Sequence, residues 1–460
     1  MALPASLFAL HVPANAAGPN FNGYISVEEM YTDNVAGSNG GSDSDLVTTL
    51  SAGANFRKQG AKNSINVGLA VFGDFYLDTD DLDDFRVQLN GNSKSEIVDG
   101  KVFFNTNVSV SEEFTSQSGT NTASDRTTGD NKSRIINYSL SPNARFRLGD
   151  LATGNASYRF SQVVFGDAGG NSSSGGIEDS MTHAVNINLN RVAGRTTYRA
   201  RSSYSAAYNG DELDSERYSF SGGVVYKITR HFSVFTDVGI DFFDDLDIDS
   251  DSLDGIYYGV GFDWAAGPRT NLSLSVDHRY DDIFLTGTFS HRFSPHTRVS
   301  ASYSVDVLTQ QQALTRTLLD ENRTLDPNAF PLDLVDSTQL VQVFDLKLSG
   351  STGRGSYNVG MNILAREVGT SNDTDHSYRL NAGYSRSFTN RLNGGVTAAY
   401  AITEQSTASG DGTQLNLGAD FSYTVAPKVS LQGYYNFLHD DDPGGTTTEN
   451  VLGVRIRKSF

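Results

Sequence analysis

Apolar and polar residues alternate along most of this chain with a period of two. Between 299 and 307, every odd position is apolar or aromatic, while the even positions hold three serines and one aspartate. The stretches 271–277 and 392–402 repeat this pattern. Successive side chains of a β-strand point to opposite faces, so alternation over about ten residues predicts half-buried strands and not helices.

About twenty-two segments of this kind follow one another at intervals of roughly twenty-one residues, which is the rhythm of barrel strands joined by hairpins. No linker-like stretch interrupts the series, so residues 21–460 are predicted to form a single domain. The predicted fold class is all-β: a transmembrane antiparallel β-barrel of the bacterial outer membrane with about 22 strands, where 18–22 strands would fit the pattern.

The connections between the segments alternate between short and long. Ten of them are tight turns, such as QGAK and VDGK. Two of the intervening connections, at 209–215 and around Asp281 and Asp282, are short as well. The others are longer and polar, at 34–44, 115–133, 166–179, 244–254, 309–338, 367–376, 404–413 and 439–449. A soluble β-sandwich or propeller also has alternating strands, but only an outer-membrane barrel sorts tight periplasmic turns from long extracellular loops.

Charge and cysteine content exclude several function classes. The formal net charge of −19 argues against nucleic acid as a partner, since phosphate binding requires a basic face. The chain has no cysteine, so a disulfide framework and a thiolate metal site are both excluded. No run of about eighteen apolar residues suggests a transmembrane helix.

The N-terminal residues 1–16 contain a short apolar run followed by Ala14-Asn15-Ala16. This pattern predicts the remnant of a secretory signal peptide that is cleaved after Ala16, although the basic segment that usually precedes the apolar run is missing. The alternative is a frayed apolar tail.

The C-terminal residues Leu452, Val454, Ile456 and Phe460 resemble the assembly signal of outer-membrane barrels, which the barrel-assembly machinery recognises. Lys458 stands where that signal usually has an apolar residue. The last strand is expected to pair with the first, at 22–34, because this pairing leaves no free sheet edge. Phe460 is then expected at the periplasmic interface, in an aromatic girdle.

If the apolar face of each strand meets lipid, a group of arginines points into the lumen. These lumen-lining candidates are Arg145, Arg147, Arg159, Arg199, Arg201 and Arg217. Guanidinium groups suit carboxylates, phosphates and sugar hydroxyls, and the alternative is that they pair with carboxylates on adjacent strands. The segment 309–336, with leucines at near-helical spacing, is the candidate for a loop that folds inward.

Aspartates are concentrated in the long loops. Asp247, Asp249 and Asp251 have the spacing of a calcium loop, but Ser252 replaces the required glycine and no glutamate closes the loop. An EF-hand is therefore excluded. The three aspartates remain weak candidates for loose metal binding, and a solvated loop kept soluble by charge repulsion is the simpler interpretation.

Catalytic motifs do not stand out in the sequence. It contains no nucleophile elbow, no His-Glu-x-x-His and no glycine-rich phosphate loop. We therefore expect neither enzymatic activity nor a cofactor.

The first hairpin resembles the opening of the β-barrel porin 2 family. Members begin with a strand that ends in Tyr-x-Asp-Asn, followed by a Ser-Asp pair and a second strand. The matching residues here are Tyr31, Asp33, Asn34, Ser44 and Asp45. The family's Ser-Pro-Gly turn is replaced by Ser51-Ala52-Gly53. The resemblance implies a barrel in outer-membrane lipid and lipopolysaccharide that is associated with an exopolysaccharide export system.

The predicted function is a multi-pass outer-membrane pore or conduit that exports an exopolysaccharide together with a polysaccharide export partner. One alternative is a general diffusion porin for small solutes, which requires a constriction formed by an inward loop and a basic ladder. Another is a non-conducting structural or adhesive barrel whose acidic loops bind cations.

Overall fold

The computed structural model describes residues 19–38, 43–114, 122–127, 132–166, 179–210, 212–245, 253–309, 338–368, 374–405 and 411–460. No helix in these ranges is long and apolar enough to cross a membrane. A single-turn 3-10 helix, Asp80–Leu82, lies between the third and fourth strands. The strands are β1 (Asn20–Thr32), β2 (Asp45–Gln59), β3 (Asn63–Tyr76), β4 (Asp84–Val98), β5 (Val102–Phe114), β6 (Lys132–Leu148), β7 (Ala152–Gly166), β8 (Ser180–Ala193), β9 (Thr196–Asn209), β10 (Glu212–Lys227), β11 (Phe232–Asp245), β12 (Gly255–Gly267), β13 (Thr270–Arg279), β14 (Asp282–Ser294), β15 (Thr297–Thr309), β16 (Thr338–Thr352), β17 (Gly355–Val368), β18 (Thr374–Ser387), β19 (Leu392–Glu404), β20 (Gly412–Ala426), β21 (Val429–Asp442) and β22 (Gly445–Ser459).

These strands form one closed antiparallel barrel. Each strand pairs with the next along the chain, and β22 pairs with β1. The predicted fold and the predicted strand number are therefore confirmed. The ten tight turns predicted from the sequence all lie at one end of the barrel, which we call the turn end, and the other connections lie at the loop end.

The seam between β1 and β22 is closed by a continuous antiparallel ladder. Nine residue pairs run from Tyr24 opposite Ser459 to Thr32 opposite Val451. At the turn end, the Phe460 N–H donates to the Gly23 carbonyl at 2.9 Å. The expected pairing of the last strand with the first is confirmed, so neither terminal strand is a free edge strand.

The two faces of the wall differ in polarity. On β1, Ile25 and Val27 are each about half exposed, whereas Ser26 and Glu28, which alternate with them, are buried. Large apolar side chains are exposed in the same way on the outer face of most strands. So much exposed apolar surface is unusual for a protein in water, and it suits the lipid-facing band of a membrane barrel.

The prediction of a long loop at 439–449 is wrong. β21 continues to Asp442 and β22 begins at Gly445, so a two-residue turn joins them. Oδ1 of Asp442 accepts hydrogen bonds from the N–H groups of Gly444 (2.7 Å) and Gly445 (3.0 Å). The run of aspartates looks like a solvated loop, but Asp440 faces the polar interior and is only 4% exposed.

Glycines on the wall make room for aromatic rings of the neighbouring strand. The Tyr434 ring on β21 lies over Gly453 on β22, where an added Cβ would come within 2.2 Å of Cζ of the ring. Gly222 on β10 has an open environment instead, with its nearest atom 4.0 Å from such a Cβ.

We expect Gly453→Ala to destabilise the barrel, because the methyl group displaces the Tyr434 ring, and overpacking of this kind costs about 1–3 kcal/mol. The matched substitution Gly222→Ala should be neutral or slightly stabilising, since glycine is a poor strand residue. Thermal unfolding in detergent, followed by circular dichroism, measures both. Equal melting temperatures for the two variants would contradict the role given to Gly453.

Candidate functional site: an inner segment against the lumen wall

A short stretch of the β5–β6 connection lies inside the barrel. Residues 122–127, which we call the inner segment, contact polar-face side chains of β1, β3, β4, β21 and β22. These strands lie on both sides of the seam. The polar face is therefore the lumen face, and the inner segment lies across the seam on one side of the lumen.

Arg126 is the main anchor of the inner segment. Its Nη1 donates to Oε1 of Glu28 at 2.6 Å and to the Tyr434 hydroxyl at 2.9 Å. Glu28 also accepts from the Tyr434 hydroxyl at 2.5 Å and from the Arg455 guanidinium. Arg126 is 6% and Glu28 is 2% exposed. Buried charges are tolerated when they are paired and hydrogen-bonded, and this group meets that condition.

The guanidinium of Arg126 stays charged at any pH at which such a barrel folds. Burial by itself lowers its pKa, but Asp125, Tyr434 and Glu28 raise the pKa of Arg126 above the usual value of an arginine. The contact between Arg126 and Glu28 is therefore not lost through deprotonation of the arginine.

A second ion pair ties the inner segment to β3 and β4. Arg86 donates from Nε to Oδ2 of Asp74 and from Nη1 to Oδ2 of Asp125, both at 2.6 Å. Thr49 also donates to Asp74, at 2.5 Å. Nε of Arg126 lies 3.7 Å from Oδ1 of Asp74. Asp125 and Arg126 are thus held by adjoining charges of the wall.

Glu449 on β22 holds the inner segment from the other side of the seam. Its carboxylate accepts from the Ala123 N–H and the Thr127 hydroxyl, each at 2.5 Å, and from the Thr32 hydroxyl at 2.8 Å. Glu449 is completely buried. Since Glu28 lies on β1 and Glu449 on β22, two buried carboxylates fix the inner segment over the line where the barrel closes.

Apolar side chains fill the space below these contacts. The Tyr76 hydroxyl donates to the Arg126 carbonyl, and the Ser124 hydroxyl lies 3.2 Å from the sulfur of Met30. The buried cluster is formed by Met30, Val35, Val47, Tyr76 and Val451, with Leu82, Ala123 and Tyr434 packed against it. The inner segment is therefore packed as part of the wall and is not a loosely draped loop.

The free side of the inner segment faces a polar cavity. Thr122 and Ala123 line a cavity of about 430 Å³ together with residues of β17 to β21. Its wall carries Asn358, Asn381, Asn416 and Asn436, which we call the amide wall. A second cavity, of about 570 Å³, continues along β13 to β18 and shares Asn358, Arg379 and Asn381 with the first. Arg379 therefore adds a positive charge beside the amide wall. Carboxamides both donate and accept hydrogen bonds, so the amide wall itself suits neutral polar groups such as hydroxyls.

The six arginines predicted to line the lumen all lie on the polar face. One row of paired positions crosses β6 to β9 and contains, in order, Arg145, Asn155, Asn188 and Arg201. Arg147 and Arg199 occupy the next row, and Arg159 and Arg217 lie nearer the loop end. The function of the six stays a prediction.

Two of these arginines lie close to carboxylates in the described chain, but only Arg217 does so with a carboxylate of an adjacent strand, Asp241 on β11 at 3.9 Å. Arg199 donates to Asp237 at 2.7 Å. Arg217 donates to the Tyr280 hydroxyl at 2.7 Å and lies 3.6 Å from Asp306. In the described part of the chain, the other four form no ion pair: Arg145, Arg147, Arg159 and Arg201.

Several predicted features lie outside the described residues. These are the signal-peptide remnant at 1–16, the weak metal candidates Asp247, Asp249 and Asp251, and all but the first residue of the inward-folding candidate at 309–336. Within the described ranges, no group of three or more histidine, aspartate and glutamate residues is close enough to hold a metal ion.

The residues of the predicted assembly signal lie on the outer face of β22 and just beyond it. Leu452, Val454, Ile456 and Phe460 are each about half exposed. Phe460 follows β22 at the turn end. Their recognition by the barrel-assembly machinery stays a prediction.

The residues that carry the resemblance in the first hairpin form local contacts at the loop end. Asp33 accepts from the backbone N–H and the side-chain amide of Asn450, both at 2.7 Å. Asp45 accepts from the N–H groups of Leu77, Asp78 and Thr79, each at 3.1 Å. These aspartates therefore fasten the seam and the β3–β4 connection.

The inner segment was not predicted from the sequence, where 115–133 is only a long polar loop. Two signals were available. Glu28 and Glu449 are carboxylates at lumen-facing positions of the first and last strands, and Arg126 is a basic residue in the loop. Nothing in the sequence indicates that the three come together.

Comparisons with known proteins agree with the fold. The FrpB iron transporter of Neisseria meningitidis, in its apoprotein form, is similar over 95% of this chain and 81% of its own, with a TM-score of 0.53 and 11% identity. The ferric-catecholate import receptor Fiu of E. coli K12 is similar over the same shares, with a TM-score of 0.52 and 8% identity. At such low identity the similarity shows the fold alone.

The sequence comparisons are less informative. A family model described as "Protein of unknown function, DUF481" matches residues 166–330. The comparison with curated proteins finds no match. The resemblance to the β-barrel porin 2 family is not confirmed.

We expect Arg126→Met to release the inner segment while leaving the barrel folded, since Glu28 keeps Arg455 and Tyr434 as partners. The loss of hydrogen bonds to a charged group costs about 1.5–3 kcal/mol, which favours opening roughly ten- to a hundredfold. Because the chain has no cysteine, a maleimide reacts only with the introduced cysteine of Ser124→Cys. Ser124 is only 8% exposed, so the labelling rate measures how readily the inner segment opens. Arg201→Met is the control. Equal labelling rates in both backgrounds would show that Arg126 is not the anchor.

Proposed function

We propose that the chain forms a passage for water-soluble cargo across the bacterial outer membrane. The observation that carries this proposal is the inverted polarity of the wall, with apolar side chains exposed outside and polar side chains inside. The inner segment narrows the lumen from the seam side. By the usual orientation of such barrels, the turn end faces the periplasm and the loop end the outside.

A secreted polysaccharide is the cargo that we favour. The amide wall offers donors and acceptors without charge, and sugar hydroxyls need both. The resemblance of the first hairpin to a family associated with exopolysaccharide export points in the same direction. Outer-membrane lipid and lipopolysaccharide around the barrel, the barrel-assembly machinery and a polysaccharide export partner belong to this proposal.

General diffusion of small solutes is the second candidate. The inner segment favours it, since an inward loop that narrows the lumen is what this alternative requires. The four lumen arginines without an ion pair in the described chain supply the basic wall that it also requires. Size exclusion distinguishes the two candidates.

We expect proteoliposomes that contain the native chain to swell in neutral oligosaccharides up to a definite size. Replacing residues 122–127 by alternating glycine and serine should raise that size limit, because the obstruction is removed while the loop length is kept. Empty liposomes and the Gly222→Ala barrel are the controls.

Passage of long neutral oligosaccharides through the native barrel would support the polysaccharide conduit, and a limit near small sugars would support general diffusion. A folded barrel that admits no sugar, with or without the replacement, would contradict both and favour a structural role.

A further inference from the structure

Basic residues occupy one recurring position at the turn end. In nine of the ten tight turns, the residue directly before the next strand is lysine, arginine or histidine. These nine residues, which we call the collar, are Lys62, Lys101, Arg195, His231, Arg269, His296, Arg354, Arg391 and Lys428. Leu151 holds the position in the tenth turn. Turn formation does not explain this choice, since turns favour glycine, proline, asparagine, aspartate and serine.

The collar residues are equivalent in three dimensions as well. The carbonyl oxygen of each accepts a backbone N–H from a neighbouring strand, at 2.7–2.9 Å. Lys101, for example, accepts from Arg145, and Lys428 accepts from Ser459. The backbone of each collar residue is therefore fixed to the sheet at the same level of the barrel.

Strand alternation places the collar on the lumen side of the rim. Lys101 stands two positions before Phe103, which lies beneath the lumen-facing Arg145 at 4.8 Å. Arg354 is an even number of positions from Asn358, which lines the cavity beside the inner segment. Lys428 has a left-handed backbone conformation (φ +65°), so only the hydrogen bond of its carbonyl to Ser459 places it in the collar. The other collar residues are related in the same way to lumen-facing positions of the strands that follow them.

Most collar residues form no ion pair with a described residue. Lys62 pairs with Asp99 in the next turn, and in the described part of the chain the other eight form no ion pair. Lys101, Lys428 and four arginines of the collar carry a permanent positive charge. Arg145, Arg147 and Arg201, which form no ion pair with any described residue, add further positive charge to the wall. This basic mouth stands out in a chain whose net charge is −19.

The spacing of these charges indicates what they bind. Consecutive tight turns are two strands apart, which is about 10 Å measured across the strands. Side chains that far apart do not converge on one small anion, but they can contact a chain of anionic groups at many points. The lumen-facing position favours cargo over the phosphates of surrounding lipid.

We propose that the collar recruits an acidic polysaccharide, a chain of carboxylate-bearing sugars, at the turn-end mouth. This proposal rests on the proposed passage and specifies its cargo. A ring of like charge at a pore mouth raises the local concentration of oppositely charged chains and selects them over neutral ones. The amide wall further inside then supplies neutral contacts to sugar hydroxyls.

The test compares two sets of five substitutions to glutamine, each of two lysines and three arginines. The collar set is Lys101, Lys428, Arg195, Arg354 and Arg391. The control set lies at or near the same end, on or next to the lipid-facing side: Lys58, Lys458, Arg191, Arg230 and Arg386. Binding of polygalacturonate to the folded barrel in detergent is measured at low salt, with dextran as the neutral polymer. Blockade of ion current by polygalacturonate, added to each side of a planar bilayer, is measured separately.

We expect the collar set to weaken polygalacturonate binding by about tenfold or more and the control set by less than about twofold, with the difference shrinking at high salt. Native channels should be blocked at lower concentrations from the turn side. Equal binding by the native barrel and the collar set would overturn the inference. Equal losses of binding in both sets would also overturn it, since binding would then depend on the charge of the whole rim and not on the collar. Collar-dependent binding without any conductance would overturn the proposed passage instead.

Discussion

The backbone N–H and carbonyl groups of a strand in hydrocarbon must find their partners inside the protein, and in this chain the pairing of β22 with β1 completes that requirement. The nine paired positions of the seam join residues more than four hundred positions apart. With the seam closed, every strand has two neighbours and the outer face can be apolar throughout. The alternation of side chains then places polar residues such as Ser26, Glu28 and Asn137 in the lumen.

Closure with twenty-two strands creates a wide interior, and the chain uses the seam again to occupy part of it. Glu28 and Glu449, on either side of the seam, are buried carboxylates that would be costly without partners. The inner segment supplies those partners through Arg126, the Ala123 N–H and the Thr127 hydroxyl. The same contacts thus stabilise the closing strands and narrow the lumen, and the amide wall lines the cavity beside the inner segment.

Local pattern was enough to predict the strands, the tight turns and the face on which each arginine lies, because each of these depends on neighbours one or two positions away. The inner segment depends on contacts such as that of Ala123 with Glu449, which are 326 positions apart. The alternation of neighbouring residues therefore could not predict its position. The error at 439–449 has a related cause: Asp440 and Asp442 look solvated in sequence, yet they extend a strand whose inner face is polar. The collar is visible in the turn sequences, but only the register shows that its members share one level and one side.

We propose that an inner segment anchored on the seam narrows a pore that is otherwise open. The decisive experiment measures the single-channel conductance of the native chain and of the barrel in which residues 122–127 are replaced by glycine and serine. We expect a steady native conductance that increases clearly in the replacement, with both barrels folded. The same conductance in both would show that the inner segment does not limit the pore, and no conductance in either would show that the barrel is not a pore.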